Sequence, residues 1–417
     1  MQSNQKKARI AMIGLGGRGF GLLRLNLVYM KNVEIVGICD TYQDRIDEAI
    51  NKVKKVCGNT PKGSTNYKDF LTDENVDIIM ITCAWEGHID IAIDAMEAGK
   101  FVAMEVGGAY SVEDCWRLVD TYEKTKTPVM MLENCCYGEY ELMALRMARE
   151  GIFGDIVHAE GGYHHDLRKE IAFGKENRHY RLKNYLERNC ENYPTHEIGP
   201  IAKIMDINRG NLFTYLTSFS SSSKGLHEFI AKNKADDKEL LNAEFKQGDI
   251  VTTIIETLKG QTVVIQLDTT LPRSYSRGFT IRGTKAMYQE DNNLVFEDNG
   301  IHGKLYEFNS RPIWNNGKKY AKKYAHRIWK NKGAVVKAGH GGMDSIVLNA
   351  MVEAFLEGYY PPIDVYDTAT WMVITALSEQ SIKNNNQRVE FPDFTRGKWQ
   401  NREDVCLGHY SLEGAVK

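Results

Sequence analysis

The passage from Ala8 to Asp40 constrains this chain more than any other. An apolar run, Ala8 to Ile13, reads as a buried strand; Gly14-Leu15-Gly16-Gly17-Arg18-Gly19 follows at once, and Phe20 to Tyr29 reads as the amphipathic helix these glycines open. Gly14 suits a tight turn, Gly16 lets a pyrophosphate approach the backbone, Gly17 and Arg18 complete the turn, and Gly19 lets helix lie on strand. The helix N-terminus adds amide donors and a positive dipole end. A second strand, Val33 to Cys39, ends in Asp40, about twenty residues past the last glycine, where a ribose-binding acid belongs. The predicted fold class is therefore α/β, beginning with a Rossmann doubly wound parallel sheet that takes a dinucleotide. Asp40 argues for NAD, because its carboxylate accepts from both ribose hydroxyls and repels a 2′-phosphate. Arg45 nearby pulls the other way.

The pattern then repeats. A helix from Tyr42 to about Val56, a short helical segment at Asn66 to Leu71 and the apolar strand Val76 to Thr82 continue a βαβ series. Helix resumes at His88 until Gly99 stops it. Strand Phe101 to Glu105, a helix capped by Ser111 and running to about Lys126, and strand Val129 to Leu132 complete a first domain over residues 1–135. The loops after the strands, Trp85-Glu86-Gly87-His88, Glu105-Val106 and Glu133-Asn134, fall at the edge where open parallel sheets bind ligands.

Residues 136–417 read as an α+β domain with a large antiparallel sheet, because strand-like runs follow one another at Asp155 to Gly162, Leu212 to Phe219, Ile250 to Leu258, Thr262 to Asp268, Phe279 to Gly283 and Ala286 to Gln289. Helices are expected at Gly138 to Glu150, His196 to Ile207, Met343 to Glu357 and Asp367 to Asn384, the last two free to pack back on the first domain. His164 to Thr195 is polar, basic and aromatic, and reads as a long functional loop. Ser220 to Ser223 reads as a loop, and the charged stretch beyond it, to Lys246, as partly mobile. Asn309 to Lys337, basic and aromatic, reads as a solvated insertion.

With a net charge of -2, the chain gives no reason to expect nucleic acid or an acidic membrane surface as partner. No stretch is apolar and long enough to span a bilayer. Met1 to Lys7 is polar and lacks the apolar core of a secretory signal, so the expected location is cytoplasmic as written, or periplasmic or secreted if a leader was removed. The eight cysteines show no paired metal-ligand spacing and read as reduced thiols. An open face of the second sheet offers a surface for a homo-oligomer.

The densest polar cluster lies in Tyr163-His164-His165-Asp166-Leu167-Arg168, Arg181 and Asn192-Tyr193-Pro194-Thr195-His196. A histidine in the first turn of a helix, preceded by a tyrosine and held by a proline, can present imidazole and phenol to the preceding loop for proton transfer. The competing reading makes His196 a helix cap and Tyr193 a space filler. His164-His165 with Asp166 suggests a metal by residue type, but neighbours on a strand point to opposite faces, so no metal is expected. Tyr275 and His340 are further candidates that read as structural when taken alone.

The dinucleotide fold with its antiparallel second domain resembles the glucose-fructose oxidoreductase and inositol dehydrogenase superfamily. Within it, Gly16-Gly17-Arg18-Gly19, Trp85-Glu86-Gly87-His88, Glu105-Val106, Tyr163 to Arg168, Tyr193-Pro194-Thr195-His196 and His340-Gly341-Gly342-Met343-Asp344 resemble glycoside hydrolase family 109, whose members include NAD-dependent α-N-acetylgalactosaminidases. The resemblance implies cofactor contacts from Arg18, Gly19, Asp40, Trp85 to His88, Glu105, Val106 and Asn134, and sugar contacts from Tyr163, Arg181, Tyr193 to His196 and Tyr275. Dehydrogenases of the superfamily carry a lysine where this chain has Val106 and an aspartate at Asn192. Relative to the hydrolase pattern, Gly87 replaces a tryptophan, Gly107 a proline and Glu197 a glycine. The implied function is a glycosidase that oxidises the sugar at C3, eliminates the glycosidic group, adds water and reduces C3 again, with Tyr163, Tyr193 and His196 moving protons. The substrate expected is a small or glycan-terminal sugar. The alternatives are an NAD-dependent sugar or inositol dehydrogenase and a non-catalytic NAD and sugar sensor.

Overall fold

The computed structural model describes residues 6–298, 309–330, 339–402 and 408–412. Within these the chain divides into two compact units. One takes the chain up to Tyr137, Arg327–Ala369 and residues 408–412; the other takes Gly138–His326 and residues 370–402.

The first unit is built on six strands, β1 (Ala8–Ile13), β2 (Val33–Cys39), β3 (Lys62–Ser64), β4 (Ile78–Ile81), β5 (Phe101–Met104) and β6 (Val129–Met131). They pair in the order β3-β2-β1-β4-β5-β6, every pair parallel. Parallel sheets carry helices on both faces, so their central strands must be apolar on both sides, and β4 and β5 bury every residue. Helices α1 (Gly17–Leu25), α2 (Gln43–Cys57), α3 (His88–Glu97) and α4 (Val112–Thr125) make the crossovers. In α2, Ile46, Ala49 and Val53 form the buried stripe, and Gly58, at φ 83°, ends the helix. Ser111 caps α4 as expected, its Oγ accepting the Asp114 amide at 3.0 Å. α1 starts earlier than the pattern suggested: Gly16 is extended, so helical geometry begins at Gly17, and Leu27–Tyr29 is a separate turn after Asn26.

Strand order reverses between β1 and β4, and there the loops that follow the two strands touch. Gly14 lies at φ 99°, and a Cβ on it would collide with the Cys83 backbone. A Cβ on Gly19 would run into the Gly14 carbonyl oxygen and stand 2.6 Å from Thr82 Oγ1, which donates to that same oxygen. Helix Met343–Glu357 belongs to this unit and packs against β1 and the turn Asn134–Tyr137.

The second unit is an eight-stranded sheet: β7 (Ile156–His164), β8 (Phe213–Ser220), β9 (Ile250–Thr257), β10 (Thr262–Asp268), β11 (Thr280–Gly283), β12 (Ala286–Gln289), β13 (Leu294–Glu297) and β14 (Val389–Glu390). Their order is β13-β12-β11-β7-β10-β9-β8-β14. Most pairs are antiparallel, but β10 runs parallel to β7, with Thr262 opposite His158 and Asp268 opposite His164. The sheet is thus mixed rather than purely antiparallel. The long connection after β7 makes this possible, since parallel pairing needs a crossover that a hairpin cannot supply. Along β9 and β10, Val251, Thr253, Ile255, Val263, Ile265 and Leu267 point inward, while Ile254 and Glu256 face out.

Helices α5 (Glu139–Arg149), α6 (Arg168–Ala172), α7 (Arg181–Glu187) and α8 (Thr195–Ile204) belong to this unit. The stretch from His164 to Thr195, expected to be a loop, therefore contains two short helices. The charged stretch after Ser223 also differs from expectation, folding into helices Gly225–Asn233 and Lys238–Leu241. Asp249 accepts the Lys224 and Gly225 amides at the start of the first of these, at 2.7 and 3.0 Å. Within the basic insertion, Gly317–Lys323 and Arg327–Lys330 are helical, and its last residues lie outside the described ones.

Candidate active site

In the first unit, the dinucleotide turn ends on a helix start with no side-chain cap. Whereas Gly14 and Gly19 are packed against the neighbouring loop, a Cβ on Gly17 would meet nothing within 4 Å and one on Gly16 only an Arg45 nitrogen at 3.9 Å. Uncapped amides opening onto free space are what a pyrophosphate needs, and this cradle fits the dinucleotide read from the sequence. Asp40 stands beside it, buried, with Oδ2 accepting the Leu15 amide at 2.6 Å and Oδ1 the Tyr42 amide at 3.0 Å. Carboxylate oxygens have lone pairs to spare, so both remain open to ribose hydroxyls. Arg45 lies 3.7 Å from Asp40 Oδ2 and stacks on Tyr42.

After β4, Trp85–Gly87 forms one 3-10 turn leading into α3. Trp85 is buried, and a Cβ on Gly107 would stand 2.6 Å from its ring. Gly107 thus makes room for the indole. A Cβ on Gly87 would lie 3.2 Å from Cys83 Sγ, close packing that accounts for the small residue there. His88 is fully enclosed, its Nε2 donating to the Cys83 carbonyl at 3.2 Å, and burial brings its pKa down to about 4. Exposed Glu86 accepts the Tyr110 hydroxyl at 3.2 Å.

Glu105, at the end of β5, and Arg18, in the first turn of α1, form an ion pair at 2.9 Å. The same guanidinium reaches Asp344 Oδ2 at 2.9 Å, and Asp344 Oδ1 accepts Asn134 Nδ2 at 2.7 Å. His340 Nδ1 lies 2.9 Å from Asp344 Oδ2 and must donate there, because a carboxylate only accepts. Burial of Asp344 opposes ionisation, but the His340 hydrogen bond and the Arg18 charge outweigh it and hold the carboxyl below its usual range. Val106, buried beside Glu105, has no proton to give.

In the second unit, the sugar-side residues named from the sequence converge. Tyr163 and His165 lie two apart, so they share one face, and the phenol meets His165 Nδ1 at 3.0 Å. The Tyr163 and Tyr193 rings stand 4.4 Å apart between centroids, Tyr193 and His196 4.9 Å, Tyr163 and His196 5.6 Å. Tyr193 Oη is 3.5 Å from His196 Nε2. Arg181, buried at the start of α7, lies 4.9 Å above the Tyr193 ring and pairs with Glu170 at 2.7 Å. Tyr275, half exposed, stands edge-on to His165 at 5.2 Å. Burial first, then the Arg181 cation, keep the His165 imidazole below its usual pKa, so it is neutral at pH 7 and able to accept from a phenol.

Helix α8 explains how the Tyr193 block is presented. Pro194 occupies the cap position and no side chain caps the helix, which removes the reading of His196 as a cap. Thr195 is completely buried, and its Oγ1 has no hydrogen-bond partner among the described residues. The block is fixed from below: Ser378 Oγ accepts the Glu191 amide and Thr375 Oγ1 donates to the Glu191 carbonyl, both at 2.8 Å, while Gln247 holds Cys190 and Asn192. Glu197, in the same first turn of α8, packs its Cβ where one on Gly161 would stand 2.7 Å away, so glycine on β7 admits the larger residue on α8.

Sequence reasoning put His165 in the polar cluster but gave it no part beside Tyr163, and it missed Asp344 beside Arg18, and Glu191. His165 was discoverable from strand alternation with Tyr163. Glu191 Oε1 accepts the Tyr193 amide at 3.4 Å, and burial pushes its carboxyl up to about 8; nothing in its sequence neighbourhood marks it as enclosed.

Fold and clusters together define an NAD-dependent enzyme of oxidoreductase architecture. Residues 8–133 match the family model for the oxidoreductase family, NAD-binding Rossmann fold, and residues 137–401 that for the glycosyl hydrolase 109 C-terminal domain. The chain belongs to glycosyl hydrolase family 109. It is 40% identical over 426 residues to a glycosyl hydrolase family 109 protein of Stenotrophomonas maltophilia, covering 96% of this chain and 92% of that protein. It is likewise 40% identical over 410 residues to one from Shewanella putrefaciens, covering 96% and 87%. Among solved structures, levoglucosan dehydrogenase in complex with NADH and levoglucosan aligns at TM-score 0.67 with 16% identity, covering 93% of this chain and all (100%) of that one. Apo scyllo-inositol dehydrogenase from Lactobacillus casei aligns at 0.64 with 14% identity, covering 93% and 98%. The protein is thus an NAD-dependent glycoside hydrolase with a dehydrogenase fold. Among the described residues no helix is long and apolar enough to cross a membrane.

Proposed function

We propose that this enzyme hydrolyses N-acetylgalactosaminides, or closely related glycosides, by transient oxidation at C3. The observation that carries the proposal is the gathering of two phenols and two imidazoles, Tyr163, His165, Tyr193 and His196, in a chain whose dinucleotide side has Val106 in place of a dehydrogenase lysine. Gly14, Gly16, Gly17, Arg18, Gly19, Asp40, Trp85 to His88, Glu105, Val106 and Asn134 would hold NAD. Bound there, NAD would accept the hydrogen on C3 of the sugar as hydride and return it in the reverse step.

The remaining chemistry is proton transfer by the chain. A phenolate or imidazole takes the C3 hydroxyl proton as the hydride leaves; with C3 as a ketone the C2 proton is acidic enough to be removed likewise, and both protons are returned when C2 is reprotonated and C3 is reduced again. Expulsion of the glycosidic group then needs a proton at its oxygen, and addition of water at C1 needs a base. Tyr163, relayed by neutral His165, and Tyr193, beside His196, are two donor-acceptor pairs suited to these transfers. Arg181 fixes the Tyr193 ring, Pro194 sets the start of α8, the enclosed Thr195 hydroxyl is an available partner for a sugar polar group, and Tyr275 offers an aromatic edge. The paired carboxylates of ordinary glycosidases are unnecessary on this route.

The test is a panel of aryl α- and β-N-acetylhexosaminides incubated in deuterated water with the purified holoenzyme. The expected result is release of N-acetylgalactosamine carrying deuterium at C2 and its original hydrogen at C3, with no accumulation of NADH. Cleavage without deuterium at C2 would point to direct displacement. Stoichiometric NADH from a free sugar would make the protein a dehydrogenase instead.

A further inference from the structure

We infer that Asp344 is a positioning residue of the dinucleotide site: it fixes Asn134 and Arg18, and its charge favours the oxidised cofactor over the reduced one. The inference rests on the reading of Arg18 and Asn134 as cofactor contacts. Asp344 is almost fully buried, yet its carboxylate serves Arg18, His340 and Asn134 together. Asn134 Nδ2 points at Asp344 Oδ1 at 2.7 Å, which a carboxylate enforces because only the amide nitrogen can donate. The Asn134 carbonyl oxygen is thereby committed as an acceptor, and among the described residues it receives a weak thiol contact from Cys135 at 3.5 Å. An acceptor fixed at the end of β6 suits the carboxamide NH2 of a nicotinamide.

The chain goes to unusual lengths to deliver this carboxylate. Gly339, His340, Gly341 and Gly342 lie in succession at φ 70°, 41°, 67° and 104°. A side chain on Gly339 would collide with Asp344 Oδ2. His340 is the member of this run that has a side chain, and a left-handed histidine persists only where its surroundings hold it. They do so here through the Asp344 hydrogen bond. The run ends at Gly342, the cap residue of helix Met343–Glu357, so Asp344 sits in the first turn, where the helix dipole also favours an anion. One guanidinium, Arg18, stands between two carboxylates, Glu105 and Asp344, so the carboxylates outnumber the cation that bridges them. A nicotinamide ring is cationic when oxidised and neutral when reduced, so an uncompensated anion discriminates between the two.

The experiment measures dissociation constants of NAD and NADH by titration calorimetry on cofactor-free full-length protein, for the parent, Asp344→Asn and Asn134→Ala. Asp344→Asn keeps the shape and removes the charge; NAD affinity should fall about tenfold relative to NADH affinity, the scale of one partly screened charge at close range. Asn134→Ala leaves the ion pairs intact and should weaken both forms together, by about three- to tenfold for one lost hydrogen bond. Equal loss of both forms in Asp344→Asn would reduce Asp344 to a scaffold residue and overturn the inference. So would unchanged affinities in Asn134→Ala, an arm that decides the matter even where Asp344→Asn does not fold. Failure of the parent to bind NAD would instead overturn the cofactor reading on which the inference rests.

Discussion

Asp40 has each carboxylate oxygen already on a backbone amide, Leu15 on one and Tyr42 on the other, so its orientation is settled before any ribose arrives. A 2′-phosphate would meet that fixed negative charge, and Arg45 is close enough to Asp40 to be partly neutralised by it. Asp40→Ala should therefore weaken NAD and raise the ratio of NADP to NAD affinity, read by calorimetry on cofactor-free protein; tighter NADP binding by the unmutated chain would contradict the assignment. His196 belongs to the other unit, and His196→Ala should leave NAD affinity within about twofold while lowering kcat by about a hundred- to ten-thousandfold, the usual contribution of a general acid or base. Near-normal turnover in the folded, NAD-loaded variant would return His196 to a packing role. Glu191 gives a stability prediction whose sign follows from its environment. Its carboxyl is raised from 4.5 to about 8 by burial, so the folded state retains a proton that the unfolded chain releases. Stability from this group is complete below about pH 4.5 and is lost as pH rises to about 8. Glu191→Gln should flatten that part of the pH dependence, measured by urea unfolding at pH 5 and pH 8; an unchanged slope would show the carboxyl to be ordinary.

At the scale of elements, the glycine turn separates packing from binding within four residues. A methyl on Gly19 has nowhere to go between the Gly14 carbonyl and Thr82, and forcing α1 off the sheet costs about 1–3 kcal/mol, or several degrees in Tm. A methyl on Gly17 points into open space. Gly19→Ala should therefore lower Tm, whereas Gly17→Ala should leave Tm unchanged and weaken NAD by obstructing the phosphate approach; the reverse pattern in thermal melts and titrations would refute this division. The same turn shows why the first sheet was legible in sequence. β4 and β5 are unbroken apolar runs bounded by polar residues, and β1 is apolar apart from Arg9, a pattern that depends on local chemistry alone. What escaped were elements whose stability comes from distant partners. β14 is two residues long and exists because Val389 and Glu390 pair with Leu216 and Tyr215. α6 and α7 are single short helices in a polar run, and Arg181, at the head of α7, is held by Glu170 rather than by helix propensity. The Tyr193 block was legible because its proline and aromatic residues are adjacent. Its anchors Gln247, Thr375 and Ser378 lie far along the chain, where no local signal ties them to it.

For the molecule as a whole, the membership of Arg327–Ala369 in the first unit has a consequence for how the protein is made. A ribosome releases the six Rossmann strands early, yet the segment that supplies Asp344 to Arg18 and Asn134 appears only after the entire eight-stranded sheet apart from β14 has been synthesised. At about 5–20 residues per second, the nascent first unit waits on the order of ten seconds or more with Arg18 able to meet Glu105 but not Asp344, and with the face later covered by helix Met343–Glu357 open. Folding from the N-terminus outward therefore cannot finish its first unit first. Translation arrested at residue 326 should yield chains that remain sensitive to protease in the Rossmann region, and arrest beyond residue 369 should yield chains that resist it; the unit whose motif is the first to be spelled is among the last to be completed.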